Sequence, residues 1–185
     1  MRKQAVQASG DTCAEFDTPS GAVFSAKRTF RYALWRNWDS SRPKIVFVGL
    51  NPSTADENQD DPTIRRCISF AHTWGYGGVL VGNLFAFRAT RPADLKKAPM
   101  PIGRDNNKWL DSMVVVSGRV LACWGNHGSH LSQDRLFVDR YPDLYCLAVN
   151  STGAPVHPLY QPGSSIPSDY HLSKSSRITT ALSQP

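Results

Sequence analysis

KIVFVGLNPS, residues 44–53, decides the fold. Its first six residues are a β-branched and aromatic run bounded by Lys44 and Gly49, the pattern of a strand covered on both faces in a parallel sheet. The run ends at Asn51-Pro52-Ser53, where Pro52 biases Asn51 toward an extended backbone. Downstream, Pro62 suits the first turn of a helix capped by Asp60 or Asp61. Ile64, Cys67, Ile68 and Ala71 then follow helical spacing through residue 74. GVLVGNLFAF (78–87) reads as a second buried strand, and RATRPADLKKAPMPIG (88–103) as a long basic loop. Residues 105–117 predict a helix, RVLACWG (119–125) a third strand, residues 127–140 a weaker helix, and DLYCLAVN (143–150) a fourth strand.

Upstream, AVFSA (22–26) and TFRYALWRNW (29–38) predict a hairpin or edge strand. Period-two alternation puts Phe30, Tyr32 and Leu34 on one face and Arg31, Ala33 and Trp35 on the other. The expected fold is α/β: a three-layer α/β/α sandwich around a mainly parallel four-stranded sheet, plus the N-terminal hairpin or edge strand. A single α/β domain is expected over residues 23–170. A flexible polar arm (1–22) precedes it and a polar tail (171–185) follows.

The 185 residues suffice for one sizeable core. No apolar run approaches the ~18 residues of a membrane span. The basic start, MRKQAVQASG, lacks the apolar region of a secretory signal. A cytoplasmic protein without a membrane partner is expected. The formal charge of +6 fits a nucleic-acid partner, because Lys and Arg release counterions from phosphates, although many basic domains bind none. Cys13, Cys67, Cys123 and Cys146 form no CxxC pair, and the last three sit in apolar surroundings and read as core.

The P-loop, the Rossmann glycine fingerprint and the GxSxG elbow are all missing from the sequence. Polar residues at strand ends remain. Right-handed crossovers bring every parallel strand's C-terminal end to one edge, where open sheets bind ligands. Asn51, Asn83, Trp124 and His157 are expected to converge there. Asn51 either points its amide into that crevice or caps a turn. Asn83 lies in an apolar run and either bonds neighbouring backbone or reads a ligand's polar edge with a carboxamide that donates and accepts. His157 could donate to developing charge; the plainer reading, an exposed loop histidine, is the one sequence alone favours. His127 and His130 have no third metal ligand nearby. Asp56, Glu57, Asp60 and Asp61 read as a cation or general-base cluster, or as helix capping. Arg65, Arg66, Arg88 and Arg91 flank the edge, interleaved with aromatics, as in a nucleic-acid groove or a solvated face.

These pieces, in this order, resemble the uracil-DNA glycosylase superfamily. Gly49-Leu50-Asn51-Pro52-Ser53 looks like its first motif loop. Gly78–Phe85 resembles the strand that ends in a base-reading Asn, and Val120–Gly125 resembles the apolar strand ending in Trp-Gly. Val156-His157-Pro158-Leu159-Tyr160 looks like the second catalytic motif. More closely, GLNPSTADENQDDPTIRRC, GNLFAFRAT and HPLYQP resemble a bacterial and phage domain family of unknown function, the one numbered 1643.

The glycosylase resemblance implies a hydrolase that cleaves the N-glycosidic bond of an unusual or modified base flipped out of DNA. Asn51 would position water and His157 would stabilise the departing base. Gly49, Leu50, Pro52 and Ser53 would form the loop, Asn83 and Trp124 would line the site, and Phe85 or Phe70 would stack on the base. Leu159 or Tyr160 would wedge into the duplex. No metal or organic cofactor is implied. The strongest uracil-specific members carry Asp where this chain has Asn51, so the implied chemistry is the water-positioning kind. The alternatives are a non-catalytic module binding nucleic acid or a modified nucleotide, and a metal-dependent phosphohydrolase or nuclease using the acidic cluster.

Overall fold

The computed structural model describes residue 13 and residues 15–170; most of the expected N-terminal arm and the polar tail (171–185) lie outside them. The stretch that opened the sequence forms β3 (Lys44–Gly49), in which Ile45, Val46, Phe47 and Val48 have no exposed surface. Around it lie β1 (Ser20–Phe24), β2 (Arg31–Asn37), β4 (Gly78–Asn83), β5 (Arg119–Ala122), β6 (Tyr145–Cys146) and β7 (Ser168–Asp169). They make one mixed seven-stranded sheet in the order β1-β2-β4-β3-β5-β6-β7. The inner strands β4, β3, β5 and β6 are parallel, and β1, β2 and β7 extend the sheet antiparallel at its two margins.

Helix α1 (Pro62–Thr73) connects β3 to β4. Helices α2 (Pro92–Lys97) and α3 (Asn106–Val116) connect β4 to β5, and α4 (Gln133–Arg140) connects β5 to β6. The chain steps from β3 to one side for β4, then back across β3 for β5 and β6. Right-handed crossovers in opposite directions place their helices on opposite faces. So Ile64, Cys67 and Phe70 of α1 pack with Ile45, Phe47, Val79, Val81 and Leu121. On the other face, Trp109, Leu110 and Met113 of α3 and Phe137 of α4 pack with Val46, Val48, Leu80 and Val120. Successive residues of β3 feed alternate cores, as the pleat requires.

The sheet has seven strands where four and a hairpin or edge strand were expected, β4 and β5 stop at Asn83 and Ala122, and the helix expected over 127–140 begins at Gln133 because Asn126–Ser132 is a 3-10 segment broken at His130 and Leu131. Four further departures have local causes. The N-terminal arm ends well before residue 22, because Phe16 is fully buried edge-on to Trp35 (5.4 Å) and Trp109 (6.0 Å), and β1 begins at Ser20. One aromatic in a polar stretch has no periodicity to reveal it. The basic loop holds a short helix, started by Pro92 and anchored by buried Leu95. The fourth strand shrinks to Tyr145–Cys146, because Asn150 Oδ1 accepts from the backbone of Thr152 and Ala154 and turns the chain. Finally, β2 carries an extra residue: Val23 faces Ala33 and Phe24 faces Arg31, so Tyr32 is skipped. That bulge reverses the alternation at the start of the strand. Tyr32 joins the α3 side with Ala33 and Trp35, away from Leu34, and Arg31 turns to the α1 side, where it meets Phe47 and Val81.

One side chain ties the α3 layer to the edge where the site forms. Asn106 is fully buried, and its Nδ2 donates to the carbonyls of Asn83 (3.0 Å) and Leu84 (3.1 Å). Asn106→Ala leaves both acceptors buried without a donor. We expect a loss of about 3 kcal/mol of unfolding free energy, read from urea melts. A loss below about 0.5 kcal/mol would show that the tie is dispensable.

Candidate active site

Beta3 is where the strand order reverses, and a crevice opens beyond the C-terminal end of such a strand, between its two neighbours. A cavity of about 430 Å³ lies there. Gly49, Leu50, Asn51 and Ser53 reach it from the end of β3, Asn83 from β4, and Cys123, Trp124 and Gly125 from the end of β5. The start of α1 supplies Asp61, Thr63 and Ile64, and the loop before β7 supplies His157, Leu159 and Tyr160. Phe47 and Val81 form its apolar floor, and Arg31 joins them.

Asn51 is half-buried, and its Nδ2 donates to Ala89 O (2.7 Å) and Pro52 O (3.1 Å), with Phe87 O at 3.5 Å. Those acceptors fix the orientation of the amide. The nitrogen is held by the neighbouring loop and Oδ1 is turned away from it as an acceptor. Asn83 is 4 % exposed, and its Nδ2 has no hydrogen-bond partner among the described residues. Gly49 makes room for it: a Cβ at position 49 would sit 2.9 Å from Asn83 Oδ1. A buried unpaired amide costs free energy unless something in the cavity accepts from it.

His157 caps a single 3-10 turn, Pro158–Tyr160, and its Nδ1 accepts from Leu159 N–H at 3.3 Å. Burial holds its pKa below the usual 6.5, against the opposing pull of Asp61. With Nδ1 an acceptor, the neutral ring carries its proton on Nε2 and is a donor. Leu159 (37 % exposed) and Tyr160 (78 %) stand at the rim, with the Tyr160 ring centroid 5.6 Å from His157. Trp124 is buried edge-on to Phe137 and Tyr170, and its Nε1 lacks a partner among the described residues. Gly128 packs against that ring edge, which a Cβ would meet at 2.1 Å. Cys123 donates to Val48 O, and burial pushes its thiol up to about 12. Burial likewise pushes Cys67 well above its ordinary value, so both thiols on the wall stay protonated.

Other expected site residues lie elsewhere. Phe85 and Phe70 are both core residues, Phe85 on the α3 side and Phe70 on the α1 side stacked on Trp74 at 4.9 Å. Neither lines the cavity; Phe47 is the phenylalanine that does, beside Trp124 and Tyr160. Pro52 is buried, and its carbonyl takes Ala89 N–H (3.0 Å), so it holds the loop rather than the ligand space. The four arginines named for nucleic acid lie off the cavity wall and have partners within the chain. Arg65 donates to Asp60 O. Arg66 donates to Gln161 O and lies over Phe70. Arg88 reaches Ser53 O and Arg28 O (both 3.3 Å), and Arg91 pairs with Asp94 (2.9 Å).

The acidic stretch is likewise occupied. Asp56 accepts from the backbone of Asn58 and Gln59, Glu57 pairs with Arg28, Asp60 pairs with Arg36 (2.8 Å), and Asp61 caps α1 through Ile64 N–H (2.9 Å). Among the described residues no three His, Cys, Asp or Glu side chains are grouped to hold a metal ion. No described helix is long and apolar enough to cross a membrane.

Reading period-two alternation along residues 30–36 missed Arg31. It is 3 % exposed, its Nη1 donates to Ala55 O (2.8 Å), and its Nε has no partner among the described residues. Burial pulls its pKa down to about 10, with Asp61 opposing the shift. A charged residue opening an apolar strand is the one signal that marked it, since a buried guanidinium is rare without a task.

Fold and cavity define the class: an open α/β protein with a cavity of mixed polar and apolar lining at the topological switch point of its sheet. The family model described as Protein of unknown function (DUF1643) matches residues 31–159, and the chain belongs to that family. The matched span opens at Arg31 and closes at Leu159, so it holds every cavity-lining residue except Tyr160. No curated protein and no solved structure matches the chain.

Two substitutions probe this geometry. Asn51→Asp sets a carboxylate, which cannot donate once ionised, against the carbonyls of Pro52 and Ala89. Its folded-state pKa is then raised, so the variant keeps near-parent stability below about pH 4 and loses about 1–3 kcal/mol as pH rises through that titration. Urea melts at pH 4 and pH 8 read the difference; equal stability at both would free Asn51 from holding the loop. His157 has a depressed folded pKa, so its protonation opposes folding, and stability rises with pH from that pKa up through the unfolded value. NMR titration of the ring should place His157 below 6.5, and His157→Gln should remove its share of the slope.

Proposed function

We propose that the protein is an N-glycosidic hydrolase of the uracil-DNA glycosylase kind, taking an unusual or modified base flipped out of DNA. One observation carries the reading: an unpaired, buried Asn83 amide at the switch-point cavity, which Asn51 and His157 also line. The topology supports it, since the Asn51 loop after β3, Asn83 at the end of β4 and His157 before Pro158 reach one cavity from three separate segments of the chain.

In this reading the base enters the cavity and Asn83 Nδ2 donates to an acceptor on its edge. Asn51 Oδ1 holds a water against C1′ of the sugar. The C1′–N bond breaks with its electron pair leaving on the base, and positive charge develops on the sugar. His157 Nε2–H donates to the oxygen on which the base's negative charge gathers, and a neutral ring can do so without transferring its proton. The water oxygen bonds C1′, one of its protons goes to solvent, and the base takes up a proton to leave as the neutral compound. Leu159 and Tyr160 at the rim would fill the space the base vacates.

A second reading is that the same fold holds a modified base or nucleotide without cutting it. The carboxamide at position 51 favours it, because Asn51 cannot act as a general base. Duplexes carrying uracil, hypoxanthine or phage-type modified bases, incubated with protein and treated with alkali, separate the two. Hydrolysis gives strand scission that Asn51→Ala and His157→Ala each reduce by about 10²-fold or more. Saturable binding that survives both substitutions, with no scission on any duplex, would instead leave only the binding reading.

A further inference from the structure

The cavity has donors in excess. Three buried nitrogens of wall residues, Arg31 Nε, Asn83 Nδ2 and Trp124 Nε1, lack acceptors among the described residues. Arg31 is also a cation without a salt-bridge partner among the described residues; its one hydrogen bond to an uncharged group is to Ala55 O. The same wall includes the first turn of α1, a twelve-residue helix whose positive end attracts anions. Asp61 is the one carboxylate there, and its Oδ1 is engaged by Ile64 N–H. Asp61 and, more weakly, Asp56 favour the Arg31 charge from beyond salt-bridge distance, while Arg88 and Arg36 oppose it.

A buried guanidinium normally has an ionic partner, because desolvating the charge alone is costly. Phe47 and Val81 line the same cavity and offer the guanidinium no acceptor. The β2 bulge is what aims Arg31 into this space, and bulges that re-aim a side chain gather at functional sites.

We propose that Arg31 is an anion anchor and that the ligand of this cavity carries an oxyanion, a carboxylate or phosphate, placed against the guanidinium while Asn83 donates to a second acceptor on the same molecule. This deepens the nucleobase reading and rests on it only for the identity of that second acceptor. The oxyanion has two possible carriers, a substituent on the base or the phosphate of a nucleotide.

The test is binding, measured by calorimetry on the full chain at low salt, with no bond cleavage required. The probes are uracil, 5-carboxyuracil, 2′-deoxyuridine, 2′-deoxyuridine 5′-monophosphate and inorganic phosphate. A charge-assisted pair should favour the anionic member of a matched pair by about tenfold to a hundredfold. Preference for 5-carboxyuracil over uracil puts the anion on the base; preference for the monophosphate over the nucleoside puts it on the nucleotide. Binding of inorganic phosphate alone, with neither matched pair separated, would overturn the proposal, as would equal affinity within both pairs.

Arg31→Met should abolish the preference; its melting temperature does not decide the matter, because the substitution removes both a buried charge and the donor to Ala55 O. If Arg31 serves only to hold Ala55, Arg31→Met keeps whatever anion preference the parent shows, and that result would overturn the proposal. Anion preference in a protein that never cuts DNA would leave this proposal standing and remove the hydrolase reading. Strand scission without anion preference would do the reverse.

Discussion

The reversal of strand order at β3 is the constraint on which the rest of the molecule depends. A right-handed crossover to β4 and a second one back past β3 to β5 oblige α1 to cover one face and α3 and α4 the other. Between them, the end of β3 is left uncovered, because neither crossover can pass over it. The cavity occupies that gap, and the loops at Asn51, Asn83 and Trp124 meet there because the strands that carry them are adjacent and parallel.

The same geometry sets the hydrogen-bond accounts of the edge. Parallel strands and the loops after them end with carbonyls that the sheet no longer satisfies. Side-chain amides supply the missing donors: Asn51 to Pro52 and Ala89, and Asn106 to Asn83 and Leu84. Arg31 does the same for Ala55. With the acceptors of the edge satisfied in this way, donors are left over on the cavity wall. The Asn at position 51 is therefore a structural requirement of this loop as well as a feature of the site, since a carboxylate there would face oxygens. The acidic run 56–61 works in the same local currency, capping α1, closing a turn and pairing with Arg28 and Arg36.

Much of the sheet was legible because burial on both faces writes itself as a continuous apolar run. The runs at 44–50, 78–87 and 119–125 each hold a parallel strand, which ends at Gly49, Asn83 and Ala122, and the Asp61-Pro62 start of α1 was visible in its capping chemistry. What escaped depended on contacts distant in sequence. Phe16 is in the core because Trp35 and Trp109 leave a hole that fits it. Phe85 faces the α3 layer, so an aromatic that looked like a stacking platform packs as core, while Phe47 of the central strand reaches the cavity instead.

The sequence by itself determined the α/β class, the central strand, and Asn51 and Asn83 as polar residues at the ends of apolar runs, because these follow from periodicity; His157 entered through the glycosylase resemblance, since its residues alone read as an exposed loop. Only the tertiary structure decided which side chains share the cavity and in what state. Strict alternation placed Arg31 with Ala33 and Trp35; the extra residue at Tyr32 moves it to the other face and into the site. A bulge is a mismatch between two strands, and one strand read alone does not contain it.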